Sequence, residues 1–161
     1  MTICIIFHSA SGITRGIAGK VNAECGGTLT EVTLPEGHSL PVTYFLGLYR
    51  SMKHEYDPIN PDIIDVSGFD CVVIGTPVWA RKPTPAIISA VEALTGCEGK
   101  KAVLFATCRS NAGDTLGILT RAVEAKGMIV RGQFVMRTRD IQDGMPVNAL
   151  ISRVKESGGA V

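Results

Sequence analysis

The sequence lacks the motifs of several common nucleotide and thiol chemistries. There is no G-x-x-x-x-G-K-S/T motif, because Thr14 stands where that motif needs a glycine, five residues before Gly19. No G-x-G-x-x-G follows the first predicted strand, which disfavours a dinucleotide-binding crossover. The five cysteines form no C-x-x-C pair, and none has an arginine six residues further on, as a low-molecular-weight phosphatase requires. We therefore expect no disulfide framework, no metal site and no cysteine phosphatase.

The chain also has no excess of charge of either sign and no long hydrophobic run at its start. Its formal net charge is +1 over 161 residues, so no overall field attracts nucleic acid or a membrane surface. The first apolar run is too short to span a membrane and has no basic leader, so neither a signal peptide nor an anchor is expected. We expect a cytoplasmic protein with one domain over residues 1–161, since this length supports a single sizeable core.

The first residues of the chain predict a strand, a tight loop and a helix. Thr2–Phe7 is a short run rich in β-branched residues, which is typical of a buried strand. Ile13, Ile17 and Val21, with Ala18 beside them, recur at helical spacing and are expected on the inward face of a helix. At such a junction, free backbone N–H groups and the helix dipole both favour an anion.

The loop between this strand and this helix is rich in hydroxyls. Ser9, Ser11 and Thr14 can donate hydrogen bonds to phosphate oxygens, and Gly12 lets the backbone approach a ligand closely. The loop therefore favours a mononucleotide phosphate site, and an ordinary helix cap is the alternative. His8 is either a contact to the phosphate or ring of a ligand, or a strand-end histidine bonded to the backbone.

Strand and helix patterns alternate along the rest of the chain. Strands are predicted at residues 28–33, 69–75, 101–106 and 128–135, and helices with apolar stripes at 87–94, 116–123 and 147–154. A loop at 35–41 and a short irregular helix near 44–54 are expected between the second and third strands. The pattern predicts an α/β fold, a doubly wound five-stranded parallel sheet of order 2-1-3-4-5 with helices on both faces.

In such a sheet, ligands bind beyond the carboxyl ends of the strands where the strand order reverses. The loops at that edge are predicted at residues 8–14, 76–82 and 107–113. Trp79, the only tryptophan, offers a stacking face for a flat heterocycle, unless it packs on its own helix. Arg81 and Lys82 add positive charge there or form a solvated rim. The third loop either borders the same heterocycle or serves as a helix entry with Asp114 as N-cap.

Two of these loops resemble the motifs of flavodoxins and flavodoxin-like FMN-binding proteins. Residues 9–14 match the S/T-x-S/T-G-x-T phosphate loop of that family, and residues 75–80 look like its G-S/T-P-I/V-W/Y-x run. Residues 65–70 and the prolines at 83 and 85 are also similar, and the element order agrees over the whole chain. The resemblance implies that FMN is bound by Ser9, Ala10, Ser11, Gly12, Ile13, Thr14, Thr76, Pro77, Val78, Trp79, Ala80, Thr107, Cys108, Arg109, Ser110, Asn111 and Gly113.

The resemblance further implies an electron carrier that shuttles electrons between redox partner proteins, with no catalytic side chain. Such a carrier is expected to be a monomer or a weak homodimer. This chain departs from the family in two respects. Carrier flavodoxins are typically strongly acidic, whereas this chain is nearly neutral. In addition, Cys108 and Arg109 stand in the third loop, where many flavodoxins place a tyrosine over the ring.

Two other functions fit the same fold. One is an NAD(P)H-dependent FMN or quinone reductase, in which Arg81, Lys82 and Arg109 attract a nucleotide phosphate. Residues 42–62 would then form a substrate lid or a dimer contact. The other is a domain that has lost the flavin and acts as a binding module.

Overall fold

The computed structural model describes residues 1–34 and 59–159. The elements in this part of the chain are β1 (Ile3–Phe7), α1 (Ile13–Cys25), β2 (Thr28–Glu31), β3 (Ile64–Asp65), β4 (Cys71–Trp79), β5 (Lys82–Pro83), α2 (Pro85–Glu92), β6 (Leu94–Thr95), β7 (Lys101–Cys108), α3 (Thr115–Ala125), β8 (Ile129–Arg137), α4 (Thr138–Asp143) and α5 (Met145–Gly158). The loop expected at 35–41 and the helix expected near 44–54 lie outside the described residues, as does most of 42–65.

The central sheet has the strand order β2-β1-β4-β7-β8, and these neighbours all pair in parallel. This confirms the predicted order, because β1, β2, β4, β7 and β8 correspond to the five predicted strands in sequence. Parallel neighbours need crossover connections, and α1, α2 and α3 supply three of them. The order reverses between β1 and β4. Beside this sheet, β3 and β6 form a separate parallel pair.

Both faces of the sheet are buried, because alternate residues of each strand fill two separate cores. In β1, Cys4 and Ile6 pack in the core that includes α2 and α3. Ile3, Ile5 and Phe7 pack in the other core, with α1 and α5. Cys4 is therefore a small buried residue of the core.

The helices bury mostly the residues that their periodicity indicates. Ile17, Ala18 and Val21 of α1 are buried. The apolar stripe predicted at residues 147–154 is also buried in α5, at Val147, Leu150, Ile151 and Val154. The expectation for Ile13 was wrong, since 40% of its surface is exposed. Ile13 begins α1 beyond the end of β1, where Thr14 takes the buried position instead. The prediction that Leu94 belongs to the helix at 87–94 was also wrong. Leu94 is buried, but it lies in β6 and not in α2.

Two predicted loops are partly continuations of strands. Residues 76–79 extend β4, which turns back through residues 80 and 81 into β5 as an antiparallel hairpin. Thr107 and Cys108 likewise belong to β7. The strands are longer than their apolar runs because β4 and β7 continue to pair as far as Pro77 and Thr107. This pairing satisfies backbone groups irrespective of side-chain polarity.

Gly75 makes room for an aromatic ring at the centre of the sheet. It pairs with Phe105 of the neighbouring strand, and a Cβ at residue 75 would lie 2.2 Å from the Phe105 Cζ atom. The Phe105 side chain is fully buried, so its ring has no free space to occupy.

We expect Gly75→Ala to lower the free energy of unfolding by about 1–3 kcal/mol, because the added methyl group overpacks the core. Urea denaturation measures the change. Gly16→Ala in α1 is the control: a Cβ at residue 16 meets nothing within 4 Å. Because alanine favours a helix interior, this variant should gain about 0.5–1 kcal/mol. A Gly75→Ala protein as stable as the wild type would contradict the close contact with Phe105.

Candidate functional site

Three segments meet at the carboxyl ends of β1, β4 and β7. They are residues 8–14, which lead into the first turn of α1, residues 79–81 at the end of β4 and the hairpin turn, and residues 107–114, which lead from the end of β7 into α3. This is the edge where the strand order reverses, between β1 and β4. In an open α/β sheet a crevice forms at that point, because the loops leave the two strands toward opposite faces.

Ser9 caps the first helix. Its Oγ accepts hydrogen bonds from the backbone N–H of Gly12 at 3.1 Å and of Arg15 at 3.3 Å. Gly12 has a φ of 92°, a left-handed conformation that glycine adopts without strain. The Arg15 guanidinium pairs with Glu31, with 3.1 Å between Nε and Oε2, so its charge is largely neutralised. The helix-cap interpretation is thus confirmed for Ser9.

Other N–H groups at this junction have no such partner among residues 1–34 and 59–159. Within the described part of the chain, nothing accepts a hydrogen bond from the backbone N–H of Ser11, Ile13 or Thr14. The Ser11 side chain is exposed. These donors lie at the N-terminus of a 13-residue helix, whose dipole favours negative charge. The loop therefore holds N–H groups in excess of those that its own cap satisfies.

A buried hydroxyl pair connects the first and third segments. The Oγ1 atoms of Thr14 and Thr107 are 2.8 Å apart, and both side chains are buried. Thr14 therefore directs its hydroxyl toward β7, and the predicted contact of that hydroxyl with a phosphate stays a prediction.

The hairpin between β4 and β5 has an unusual turn. Ala80 and Arg81 have φ values of 49° and 64°, although type I′ turns of this kind normally contain asparagine or glycine. The Asp114 N–H donates to the Arg81 carbonyl at 3.1 Å, which connects the second segment to the third. Gly113 packs against the same residue, since a Cβ there would lie 2.4 Å from the Arg81 Cβ. The third segment thus holds the turn in its strained conformation.

Thr76 closes the base of this hairpin. It is fully buried, and its Oγ1 accepts from the Thr84 N–H at 3.1 Å and donates to the Pro77 carbonyl at 2.8 Å. Thr84 in turn caps α2 by accepting from the Ile87 N–H at 3.4 Å. Thr76 therefore fixes the direction of the hairpin, and its predicted contact with a cofactor stays a prediction.

Trp79 and His8 are in contact across β4 and β1. Their ring centroids are 5.8 Å apart, with an angle of 85° between the planes, which is an edge-to-face arrangement. His8 is buried, and its Nδ1 lies 2.9 Å from the Val32 carbonyl oxygen. This confirms the interpretation of His8 as a strand-end histidine with a backbone partner. The same ring also supports the half-buried Trp79 at the second segment.

The third segment is held by residues that the sequence did not indicate. Arg137 Nε donates to the Ser110 carbonyl at 3.0 Å, and Thr138 Oγ1 donates to the Cys108 carbonyl at 3.3 Å. Arg137 is the last residue of β8. Its position at a carboxyl strand end is the sequence feature that could have indicated a contact with the site. Burial raises the pKa of the Cys108 thiol, so this group is a neutral thiol near pH 7.

The rest of the third segment is exposed and polar. Asn111 Oδ1 accepts from the Gly113 N–H at 2.8 Å, which forms a local turn, and Arg109 and Ser110 are exposed. Asp114 occupies the N-cap position of α3 without a side-chain capping bond. The predicted helix entry with Asp114 at the N-cap position is therefore confirmed, but the Asp114 carboxylate forms no capping hydrogen bond.

Comparison with known proteins shows similarity in structure only. No protein-family profile and no curated protein matches the sequence. A flavoprotein in complex with FMN from Lactobacillus acidophilus NCFM is 22% identical, with 88% of this chain and 97% of that chain covered and a TM-score of 0.70. The two-electron reduced flavodoxin of Megasphaera elsdenii is 14% identical, with 94% and 96% covered and a TM-score of 0.59. The chain has the flavodoxin-like fold.

An enzyme also shares this flavodoxin-like fold. An NADH:FMN oxidoreductase, solved in its apo form, is 16% identical, with 97% of this chain and 87% of that chain covered and a TM-score of 0.65. At such low identities the likeness concerns the fold and leaves the chemistry open. Within residues 1–34 and 59–159, no helix has the length and apolar character needed to cross a membrane.

The flavodoxin-like edge of this chain includes a basic groove beside the hairpin. The groove has a volume of about 440 Å³ and is lined by Ala80, Arg81, Lys82, Asn111, Gly113 and Asp114. Arg81 and Lys82 are both exposed. Two cations against one carboxylate leave the groove positively charged, which suits an anionic ligand or partner surface.

We expect Thr14→Val and Thr107→Val each to lower the free energy of unfolding by about 1–3 kcal/mol, because either change leaves a buried hydroxyl unpaired. The double variant should lose less than the sum of the two, since it removes both polar groups together. Denaturant unfolding of all four proteins measures this coupling. Thr28→Val, at an exposed position of β2, is the control. Strictly additive losses would contradict a bond between the two hydroxyls.

Proposed function

We propose that this chain binds FMN and transfers electrons between redox partner proteins. One observation carries the proposal: the N–H groups of Ser11, Ile13 and Thr14 have no acceptor in the described chain and lie at the start of α1. A phosphate dianion supplies acceptors for several such donors and is favoured by the helix dipole. The exposed Ser11 hydroxyl adds a further donor.

The other two segments suit the flat ring of the same cofactor. Trp79 is half-buried and held edge-to-face by His8, so a rigid aromatic surface stands beside the phosphate loop. Mostly apolar and aromatic walls with a few polar groups are typical of cofactor sites. The backbone of residues 109–113 would border the polar edge of the ring. FMN supplies the electron chemistry when bound, and these residues bind and orient it.

The charge of the site edge suggests the kind of redox partner. The chain is nearly neutral, and Lys82 and Arg109 are exposed beside the proposed ring site. A partner with negative charge around its own redox centre would complement this edge, and the contact would weaken as salt rises. In this proposal the protein acts in the cytoplasm, as a monomer or a weak homodimer.

A second function, direct reduction by NAD(P)H, is favoured by the basic groove. Arg81 and Lys82 line a space of about 440 Å³ next to the hairpin. A nucleotide phosphate could bind there while the nicotinamide reaches the flavin. The fold shared with an NADH:FMN oxidoreductase is compatible with this alternative.

An anaerobic absorption spectrum separates these functions. We expect the purified protein, or the protein mixed with FMN, to show bound oxidised flavin. Addition of NADH or NADPH should leave the flavin bands unchanged if the protein is a carrier and bleach them if it is a reductase. A protein that neither contains nor binds FMN would contradict both functions and favour a flavin-less binding module.

We expect Ser11→Ala to weaken FMN binding by about 1.5–3 kcal/mol, because it removes a hydroxyl donor to a charged phosphate. This corresponds to roughly a tenfold to hundredfold rise in Kd, measured by fluorescence titration. Ser11 is a cleaner probe than Ser9 or Thr14, whose hydroxyls already bond within the protein. Ser152→Ala, an exposed position of α5, should leave the Kd unchanged. An unaltered affinity in Ser11→Ala would overturn the assignment of its hydroxyl to the phosphate.

A further inference from the structure

His8 is a buried imidazole that the proposed electron transfer does not use. Only 8% of its surface is exposed, and it lies at the end of β1 beside the loop that begins α1. Its Nδ1 is 2.9 Å from the Val32 carbonyl oxygen, which is hydrogen-bond distance. Because a carbonyl can only accept, Nδ1 carries a proton. In the neutral ring, Nε2 is then an unprotonated acceptor.

The ring of His8 is held rigidly. Its backbone N–H donates to the Gly75 carbonyl at 3.3 Å, which anchors the residue on β4. The Val32 N–H donates to the Phe7 carbonyl at 2.7 Å, so the acceptor of the imidazole is itself fixed on β1. The imidazole thus has a fixed position and a fixed tautomer in front of Trp79. The edge-to-face contact between the two rings follows from this placement.

We propose that neutral His8 is a positioning residue that sets the orientation of the Trp79 indole against the cofactor ring. The cofactor half of this inference rests on the proposed FMN function, but the contact of His8 with Trp79 exists without FMN. An aromatic side chain whose plane is fixed before the ligand binds strengthens binding, because no side-chain entropy is lost when the ligand stacks on it.

Protonation of His8 should disturb this arrangement. A second proton on the ring places a positive charge in a buried site and gives Nε2 a hydrogen that needs an acceptor. Burial lowers the pKa of His8, while the Val32 carbonyl and the negative charge of Glu31 act in the opposite direction. Among the described residues, Glu31, itself paired with Arg15, is the charged group that acts on the pKa of His8. The neutral ring therefore prevails near pH 7 and the positioning is lost in acid.

The single tryptophan makes the contact directly measurable. Trp79 is the only tryptophan among 161 residues, so indole emission of the apo-protein reports on it alone. A protonated imidazole in contact with an indole quenches its emission. In the wild type, we expect the emission to fall as the pH decreases from about 8 to about 5, with a one-proton midpoint below the ordinary histidine pKa of about 6.5.

Two variants of His8 separate its ring from its hydrogen bond. His8→Asn keeps an N–H donor for the Val32 carbonyl but removes the ring, and His8→Phe keeps a ring but removes the donor and the proton. Both should lose the pH-dependent quenching. His38→Gln and His54→Gln change the only other histidines and should retain it. Quenching that persists in both His8 variants, or that disappears with His38 or His54, would overturn the inference.

The same variants test the effect on FMN. At about pH 8, His8→Asn should bind FMN more weakly than His8→Phe, because only phenylalanine still supports the indole. The phosphate of FMN titrates near pH 6 in every variant, so the difference between wild type and His8→Phe isolates the contribution of His8. The wild-type affinity should fall in acid together with the Trp79 emission. Equal affinities in His8→Asn and His8→Phe would contradict a role for His8 in orienting Trp79 toward the cofactor.

Failure of the FMN proposal gives a different result. If the protein binds no FMN but the emission of Trp79 still depends on His8, the cofactor assignment is wrong and His8 does position the indole. If the emission is independent of His8, the inference fails even in a protein that binds FMN tightly. The emission of the apo-protein therefore distinguishes failure of the FMN assignment from failure of the His8 inference.

Discussion

The reversal of strand order between β1 and β4 is the constraint on which the rest of this structure depends. Helices cover both faces of the sheet, and a right-handed crossover allows each helix only one of the two faces. The loops that follow β1 and β4 must therefore diverge at the carboxyl edge, which in open α/β sheets is where a binding crevice forms. Residues 8–14, the β4–β5 hairpin and residues 109–114 border this edge because each follows one of three adjacent strands.

Specific contacts give the crevice a definite shape. The hydroxyls of Thr14 and Thr107 join the first and third segments from below, and the Asp114 N–H joins the third segment to the carbonyl of Arg81. His8 and Trp79 join the first segment to the second. Each pair of segments is therefore connected directly. A site of this kind is largely formed before a ligand enters, which reduces the entropy cost of binding.

The proposed chemistry would need little more from the protein than binding and orientation. The cap formed by Ser9 leaves other N–H groups of the loop available for a phosphate, and Glu31 neutralises Arg15, so amides and hydroxyls would bear most of the interaction. The positive charge of the site edge is concentrated instead around the hairpin, at Arg81 and Lys82. In the proposed function, this separation would allow residues 9–14 to hold the phosphate of FMN while the hairpin attracts a second anionic molecule.

The sequence by itself determined the layers and the strand order. The β-branched runs and helical stripes depend on short-range periodicity, which each segment shows without its neighbours. The glycine and hydroxyls of residues 9–14 predicted a tight loop between the first strand and helix for the same reason, and the binding of a phosphate there stays a proposal. Only the tertiary structure decided that residues 76–79 are strand, that Ile13 is exposed, and that His8 supports Trp79. These features depend on strand pairing and on contacts between residues distant in the chain, which local pattern does not contain.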